Sequence, residues 1–526
     1  MVEHVTADHV VGLIDDGATV AVNSSSGLCC PDHVLAALGD RFSREGSPSG
    51  LTTIHPIAAG DMFGTPGVDH IAAPGQIKTI IGGSFPSGPS AADPPKIWER
   101  ILANGLAAYN VPSGIVFDML REGAGKRPGV LTQVGLDTFV DPDLEGCAMN
   151  DAARAQAIVK KISFQGDTWL NFKALAPDFA IIRATTADKR GNLSFEQEGA
   201  YLGAMEVALA ARNSGGCVIA QVKRTAKAGT LKPHDIHVPG IFVDYIVEAP
   251  DQLQTTATNY DPTISGELFR SLDAFDVPEF GIAKIIARRV AQELQPGWAV
   301  NIGFGASANV PRILLEENRH GDVTWVIEQG AIGGIPLLDF KFGCSSNAEA
   351  FIASPHQFSY FQAGRFDAAL LSFLEIGENG AVNVSRLGVC PHRTAGAGGF
   401  VDITARARKI VFSGNFNAGA RLSIDDGRLV IEKEGRIAKI VPEVEQVSFS
   451  GKRAQIQQQD ITYVTERCVI KLGKDGLEIT EVAPGIDIQK NILELVDVKL
   501  SVAENLKTMD AALFRPETIA LWSNRN

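Results

Sequence analysis

Pro296-Gly-Trp-Ala-Val-Asn-Ile-Gly303 reads as a glycine turn, an apolar strand and a loop opening, and the same pattern stands near the start of the chain as Asp16-Gly-Ala-Thr-Val-Ala-Val-Asn23. A helical pattern with proline near its start follows each: Pro31-Asp-His-Val-Leu-Ala-Ala-Leu38 and Pro311-Arg-Ile-Leu-Leu-Glu-Glu317. Further on, the apolar run from Phe179 with its polar turn Asp188-Lys-Arg-Gly-Asn192 pairs with the run from Phe366 and the turn Glu378-Asn-Gly380. Gly216-Cys-Val-Ile-Ala-Gln-Val222 likewise pairs with Ala407-Arg-Lys-Ile-Val-Phe-Ser413. Matched segments in matched order imply two divergent repeats. Short apolar strands alternating with amphipathic segments make the fold class α/β, as two related open α/β domains with mostly parallel sheets. The polar, weakly periodic stretch Ala249 to Phe280 is the expected seam, giving domains over 1–255 and 275–526.

Length and composition agree with this. At 526 residues the chain exceeds one comfortable core, and 45% hydrophobic with 21% charged residues is the balance of a folded globular protein. A net charge of −13 disfavours a general nucleic-acid binder, so an anionic ligand would need locally clustered Lys, Arg or backbone N–H groups. Seven cysteines without a CxxC pair suit neither a disulfide framework nor a zinc ribbon, and no metal is expected. With no basic n-region and no run of about 20 apolar residues, the expectation is a cytoplasmic protein without a membrane partner. Cys29, Cys30, Cys344 and Cys390 are expected to be small buried hydrophobes.

The window with most chemistry is Val323-Thr-Trp-Val-Ile-Glu328-Gln-Gly-Ala-Ile-Gly333-Gly334-Ile-Pro336. An apolar strand delivers one carboxylate to its C-terminal end, where open α/β sheets bind ligands, and glycines bring backbone N–H groups near. A solvated glutamate in a βα turn is the plain alternative. A second cluster, Thr394-Ala-Gly396-Ala-Gly398-Gly399-Phe400, is either a ligand-closing loop or an ordinary turn. A third motif competes for the same glutamate: Gly303-Phe-Gly305-Ala-Ser-Ala308 follows a strand and opens a helix, with Glu328 about 20 residues on, which imitates a dinucleotide fingerprint and an NAD-dependent oxidoreductase. Against it, Ala308 replaces the last glycine and the repeat partner Asn23-Ser-Ser-Ser-Gly27 lacks the pattern.

Taken jointly, these residues resemble class I CoA-transferases of the single-chain acetate or propionate type. Glu328-Gln-Gly-Ala-Ile-Gly-Gly-Ile-Pro336 is similar to the catalytic E-x-G-x-x-G-G-[VI]-P. Gly396-Ala-Gly-Gly-Phe-Val-Asp-Ile403 is similar to the G-x-G-G-F-[IV]-[DN]-I loop, and Ala483-Pro-Gly-Ile-Asp487 to the closing A-P-G-[VI]-D. Tyr109-Asn-Val-Pro112 and Val134-Gly-Leu-Asp-Thr-Phe-Val-Asp-Pro142 match further stretches. The resemblance spans nearly the whole chain. It implies two fused related domains with the active site between them, acyl-CoA and a carboxylic acid as substrates, no cofactor beyond coenzyme A as substrate, and a homo-oligomer, expected to be a tetramer.

It also implies ping-pong chemistry through an acyl-glutamyl anhydride and a glutamyl-CoA thioester on Glu328. Gly396, Gly398 and Gly399 are then the oxyanion and CoA loop, and Gly303, Gly305, Gly333, Gly334 and Ser113 line the CoA or acyl pocket. Lys341, Arg386 and Arg393 are candidates for CoA phosphates by proximity alone. The chain departs from the family at Pro112-Ser113-Gly114, where relatives have Pro-Gln-Gly, and at Ser25-Ser26-Gly27-Leu28-Cys29, where they have S-G-F-x-G. Both changes fall on the half expected to face the acid, which leaves the acid open. Acyl-CoA hydrolysis on the same scaffold and acyl-CoA sensing without turnover are the competing functions; the sensor predicts that Glu328 is dispensable.

Overall fold

Residues 2–61, 63–87, 93–388 and 390–522 are described by a computed structural model. The first half builds on strands β1 (Thr19–Val22), β2 (Leu51–His55), β3 (Ile77–Gly82), β4 (Ala107–Asn110), β5 (Phe179–Asp188), β6 (Cys217–Ala226) and β7 (Tyr245–Glu248). Their spatial order is β7-β6-β5-β1-β2-β3-β4, with every neighbouring pair parallel. All ten residues of β5 are buried, as a central strand of a sheet covered on both faces requires. Helix α1 (Asp32–Glu45) turns Val34, Leu35 and Leu38 inward and ends at Gly46, whose φ of 70° is the left-handed conformation that glycine adopts without a Cβ penalty.

The second half repeats the plan. Strands β8 (Trp298–Ile302), β9 (Val323–Val326), β10 (Ala368–Ser372), β11 (Lys409–Ser413) and β12 (Asp460–Val464) lie in the order β9-β8-β10-β11-β12, again parallel. This is the order β2-β1-β5-β6-β7 of the first half, so the repeat read from segment matches is a repeat of topology. Beyond β12 the sheet continues antiparallel through Cys468–Gly473 and Gly476–Val482. Beyond β9 it gains Ala331–Ile332, also antiparallel.

The seam is not a free linker. From Ala249 to Gly281 its only regular element is the short 3-10 turn Leu272–Ala274, yet its polar side chains are used by both halves. Gln254 bonds the Gln197 carbonyl at 2.7 Å, Thr263 meets Ser346 at 3.0 Å, and the Arg270 N–H donates to Asn347 at 2.8 Å. A strap whose hydrogen bonds go to loops has no helical or strand period to show in sequence. No described helix is long and apolar enough to cross a membrane, and no described group of His, Cys, Asp or Glu could hold a metal. All seven cysteines are free; Cys29, Cys30 and Cys344 are buried, whereas Cys390 is half-buried, because it lies in an irregular loop rather than in the core.

Candidate active site

Glu328 does not sit in a βα turn. The chain leaves β9, turns at Ile327–Gly330, where the Gly330 N–H reaches the Ile327 carbonyl at 2.9 Å, and returns as Ala331–Ile332. Gly330 holds φ 115°, and a Cβ there would strike the Ile352 carbonyl, so only glycine permits the turn. The glutamate is thereby fixed at a hairpin tip at the carboxyl end of the parallel strands. From the neighbouring strand, Asn301 donates to the Val326 carbonyl at 3.0 Å and steadies that end.

Around the carboxyl group the donors are few. Gln329 Nε2 lies 3.2 Å from Glu328 Oε1 and 3.2 Å from Ser25 Oγ, and the Gly399 N–H donates to the carboxylate. Among the described residues, no lysine or arginine perturbs it. Burial therefore dominates and pushes its pKa up to about 7, with the two hydrogen bonds opposing. A carboxylate so placed retains basicity that a solvated one loses, and part of it is ionised at neutral pH.

The glycine cluster is a clamp between the halves. The Phe85 N–H donates to the Ala395 carbonyl at 2.7 Å, the Ala397 N–H to Asn110 Oδ1 at 2.8 Å, and the Gly398 N–H to the Gly83 carbonyl at 2.8 Å. In return the Ser113 N–H donates to the Gly398 carbonyl at 2.9 Å, and the Gly114 N–H to Asp402 Oδ2 at 2.9 Å. Asp402 also accepts from Gln362 Nε2 at 2.9 Å, and burial raises its pKa to about 7, aided by the negative charges of Asp118 and Glu328. At Gly399 a Cβ would run into the Glu328 carboxylate and sit 2.6 Å from Phe358, so this glycine is demanded by the carboxylate it touches.

Measured against this geometry, the residues singled out by sequence divide. Gly399 touches Glu328 directly. Gly398 is part of the clamp and its N–H is already spent on Gly83, so it offers no donor here. Gly396, at φ 85°, packs on Asn110. Ser113 is fully buried, with its N–H in the clamp and its Oγ without a hydrogen-bond partner. Gly303 and Gly305 lie at the end of β8, next to the glutamate strand; the Gly303 N–H is bound to Leu370, and a Cβ at Gly305 would press on Ser372. Gly333 and Gly334, at φ 72° and 70°, shape the return of the hairpin against Glu349 and Ser346.

Of the proposed phosphate cations, Arg386 is taken by Glu145 at 2.5 Å and Lys341 approaches Asp261 at 3.8 Å, while Arg393 ends the short turn Pro391–Arg393. Sequence reasoning quoted Asn110, Gln329 and Asp402 inside motifs without giving them roles. Asparagine at a buried strand end was the available signal for the first. A cleft of about 1420 Å³ lies elsewhere, around Trp298, Arg406 and Lys409 at the opposite end of the second sheet; the position of the chemistry, not cleft size, identifies the site.

Comparison with known proteins now defines the class. Residues 4–249 match the family described as Coenzyme A transferase. The caffeate CoA-transferase of Acetobacterium woodii is 40% identical over 523 residues, covering 98% of this chain and 98% of that protein. The acetate CoA-transferase YdiF of Escherichia coli K12 is 35% identical over 516 residues, covering 97% and 94%. The crystal structure of the acyl-CoA transferase YdiF from Escherichia coli O157:H7, a thioester complex with CoA, superposes with a TM-score of 0.89 at 32% identity over 99% of this chain and 97% of that one. The chain belongs to the coenzyme A transferase family and is an acyl-CoA:carboxylate CoA-transferase, with coenzyme A carried by its substrate. The dinucleotide reading falls with this, since Glu328 is held in a hairpin beside Gly399 rather than presented to a ribose. The hydrolase alternative has no support among these relatives, each named as a transferase.

Proposed function

We propose that Glu328 is the covalent nucleophile of a ping-pong CoA transfer between the two halves of the chain. Its ionised carboxylate attacks the thioester carbonyl of an acyl-CoA, forming a glutamyl–acyl anhydride and expelling CoA thiolate. The thiolate then attacks the glutamyl carbonyl, which releases the first acid and leaves a glutamyl-CoA thioester. An incoming carboxylate attacks that thioester, and the thiolate returns to the new acyl group, restoring the Glu328 carboxylate. Each step exchanges one acyl bond for another with no change of oxidation state, so no redox partner enters the balance.

The observation that carries this reading is a half-buried glutamate, shielded enough to shift its pKa, with two neutral donors and no cationic partner among the described residues. A purely structural carboxylate of that burial would be expected to pair with Lys or Arg. Gly399 N–H and Gln329 Nε2 both orient the nucleophile, and when the carboxylate becomes an acyl group they are left facing its carbonyl oxygen, where charge develops in the tetrahedral intermediates. Ser113 is part of the site through the clamp that holds Gly399. The relatives' names, caffeate and acetate, point to different acids, and their chemistry supports only the shared transfer. Assembly into a homo-oligomer, a tetramer by the family resemblance, belongs to the same proposal and is read out by native mass.

The test is intact-protein mass spectrometry after mixing with acetyl-CoA, with and without borohydride. Wild type should gain a CoA-sized adduct that borohydride removes by reduction, and Glu328→Gln should gain none. An equal adduct on the variant, or none on wild type across a broad acyl-CoA panel, would sink the mechanism.

A further inference from the structure

Two pairs of phenylalanines on loops that connect to the Glu328 hairpin have no place in the mechanism so far. Phe63 packs against Phe340 with ring centroids 4.6 Å apart, and Phe304 meets Phe342 edge-on at 5.4 Å. Phe63, Phe304 and Phe340 remain 48%, 56% and 47% exposed, a concentration of apolar surface that a protein rarely leaves beside a reacting group without a ligand to cover it.

Their backbones are tied to the nucleophile from three sides. Phe304 follows β8, which is hydrogen-bonded to the glutamate strand β9. The Phe340 and Phe342 loop rests on Gln329: a Cβ at Gly343 would lie 2.8 Å from Gln329 Cδ. Phe63 sits on a turn in which its N–H donates to Asp61 at 2.6 Å, while the adjacent Gly60 N–H donates to the Ser26 carbonyl at 3.0 Å, one residue from the Ser25 that meets Gln329. Rings on fixed loops are pre-organised, and aromatic side chains lose little conformational freedom on binding.

We infer that this cluster is the acyl subsite and that the acid it takes carries a planar aryl group, its ring against Phe63 and Phe340 and its carboxylate directed to Glu328. The inference rests on the proposed role of Glu328 for the direction of the carboxylate only. Charge argues for a neutral ring over the phosphates of CoA as the occupant. The turns that present the rings carry Asp61 and Asp339, and the cation on the same loop, Lys341, turns to Asp261. Offset and edge-on aromatic contacts add to simple apolar burial and favour an aryl over an alkyl acid of equal size.

The experiment is calorimetric binding of cinnamate, propanoate and CoA to the full chain and to Phe63→Ala, Phe340→Ala and Phe304→Ala, with native mass recorded for each. Cinnamate should bind wild type about tenfold or more tighter than propanoate. Phe63→Ala and Phe340→Ala should erase most of that difference while propanoate and CoA stay within about twofold. Phe304→Ala, on a separate loop, provides a second reading should one of the others fold poorly. Parallel loss of CoA binding would assign the patch to CoA, a change of native mass with unchanged cinnamate binding would make it a contact between copies, and no preference for cinnamate would remove the subsite; each overturns the inference. Binding needs no turnover, so failure to trap an adduct on Glu328 would break the nucleophile proposal without touching this result.

Discussion

The two halves share one five-strand order and differ at one strand end. In the first, Ile54 of β2 lies opposite Ala21; in the second, Val326 of β9 lies opposite Asn301, and Ala21 and Asn301 occupy the same place in the repeated segment. Two residues beyond these partners stand Pro56 and Glu328. The first half therefore has proline where the second has its carboxylate, and it adds two outer parallel strands, β3 and β4, that bring Gly82, Gly83 and Asn110 to the same edge. The tasks are separated: one half carries the proposed nucleophile and the other holds the loop that contacts it. This explains why the site lies between the halves, because Gly399 reaches Glu328 from a loop pinned to β3, β4 and Ser113.

That division can be broken in steps. The largest effect belongs to the strand end itself: Glu328→Gln should lower kcat/KM for acyl transfer by on the order of 10^4-fold or more, while the melting temperature holds or rises, because a partly desolvated ionisable group has been neutralised. A residual rate within about tenfold of wild type would show that the strand end is not the reacting one.

The first half's own scaffolding comes next. On β5, Arg183 is fully buried against Glu198 at 2.6 Å and donates to the Cys30 carbonyl, so it organises the loop that carries Ser25. The corresponding strand of the second half, Ala368–Ser372, has no charged residue. Arg183→Met should cost about 3–5 kcal/mol in chemical denaturation, since Glu198 is left buried and unpaired. A loss below about 1 kcal/mol would mean that the pair is not the anchor.

The contact of the clamped loop with the glutamate is tested by Gly399→Ala. The added methyl group has no room between Glu328 and Phe358, and we expect a fall of about 10²-fold in turnover from a displacement of the nucleophile of under 1 Å. Unchanged turnover with a lowered melting point would reduce Gly399 to a packing role.

The smallest effect should be at Asp402. Its folded pKa lies above its unfolded one, so its protonated form favours the fold, and that contribution is present below the ordinary carboxyl range and lost as pH rises through about 7. Asp402→Asn, with Gln362 turning its amide to accept, keeps the contacts and removes the ionisation. The variant should gain stability relative to wild type as pH is raised from 5 to 8, at no more than about 1.4 kcal/mol per pH unit and levelling off near pH 7. A difference independent of pH would show that Asp402 is not buried as described.

Much of this was readable in sequence. Strands ending in Asn23 and Gly303, with proline-started helices after them, disclosed the repeat because parallel strands are buried on both faces and leave continuous apolar runs. Glu328 was legible because its glycines have steric causes: Gly330 and Gly399 have no room for a Cβ. The hairpin was missed, since two-residue strands such as Ala331–Ile332 have too little length to show a period. Gly398 reads in sequence as part of the oxyanion loop, and the acceptor that occupies its N–H, the Gly83 carbonyl, lies over 300 residues away in the chain. The aromatic cluster was invisible for the same reason: Phe63, Phe304 and Phe340 are scattered phenylalanines until the fold gathers them.

The central claim, that Glu328 is acylated and regenerated at each transfer, is met most directly by isotope. Turnover with an acceptor acid labelled with 18O in both carboxylate oxygens should place 18O in the peptide containing Glu328, one oxygen in the first cycle, because the anhydride oxygen stays with glutamate when CoA thiolate takes the acyl group. Label confined to the acyl-CoA product and the free acids, with none in that peptide after many turnovers, would contradict the account.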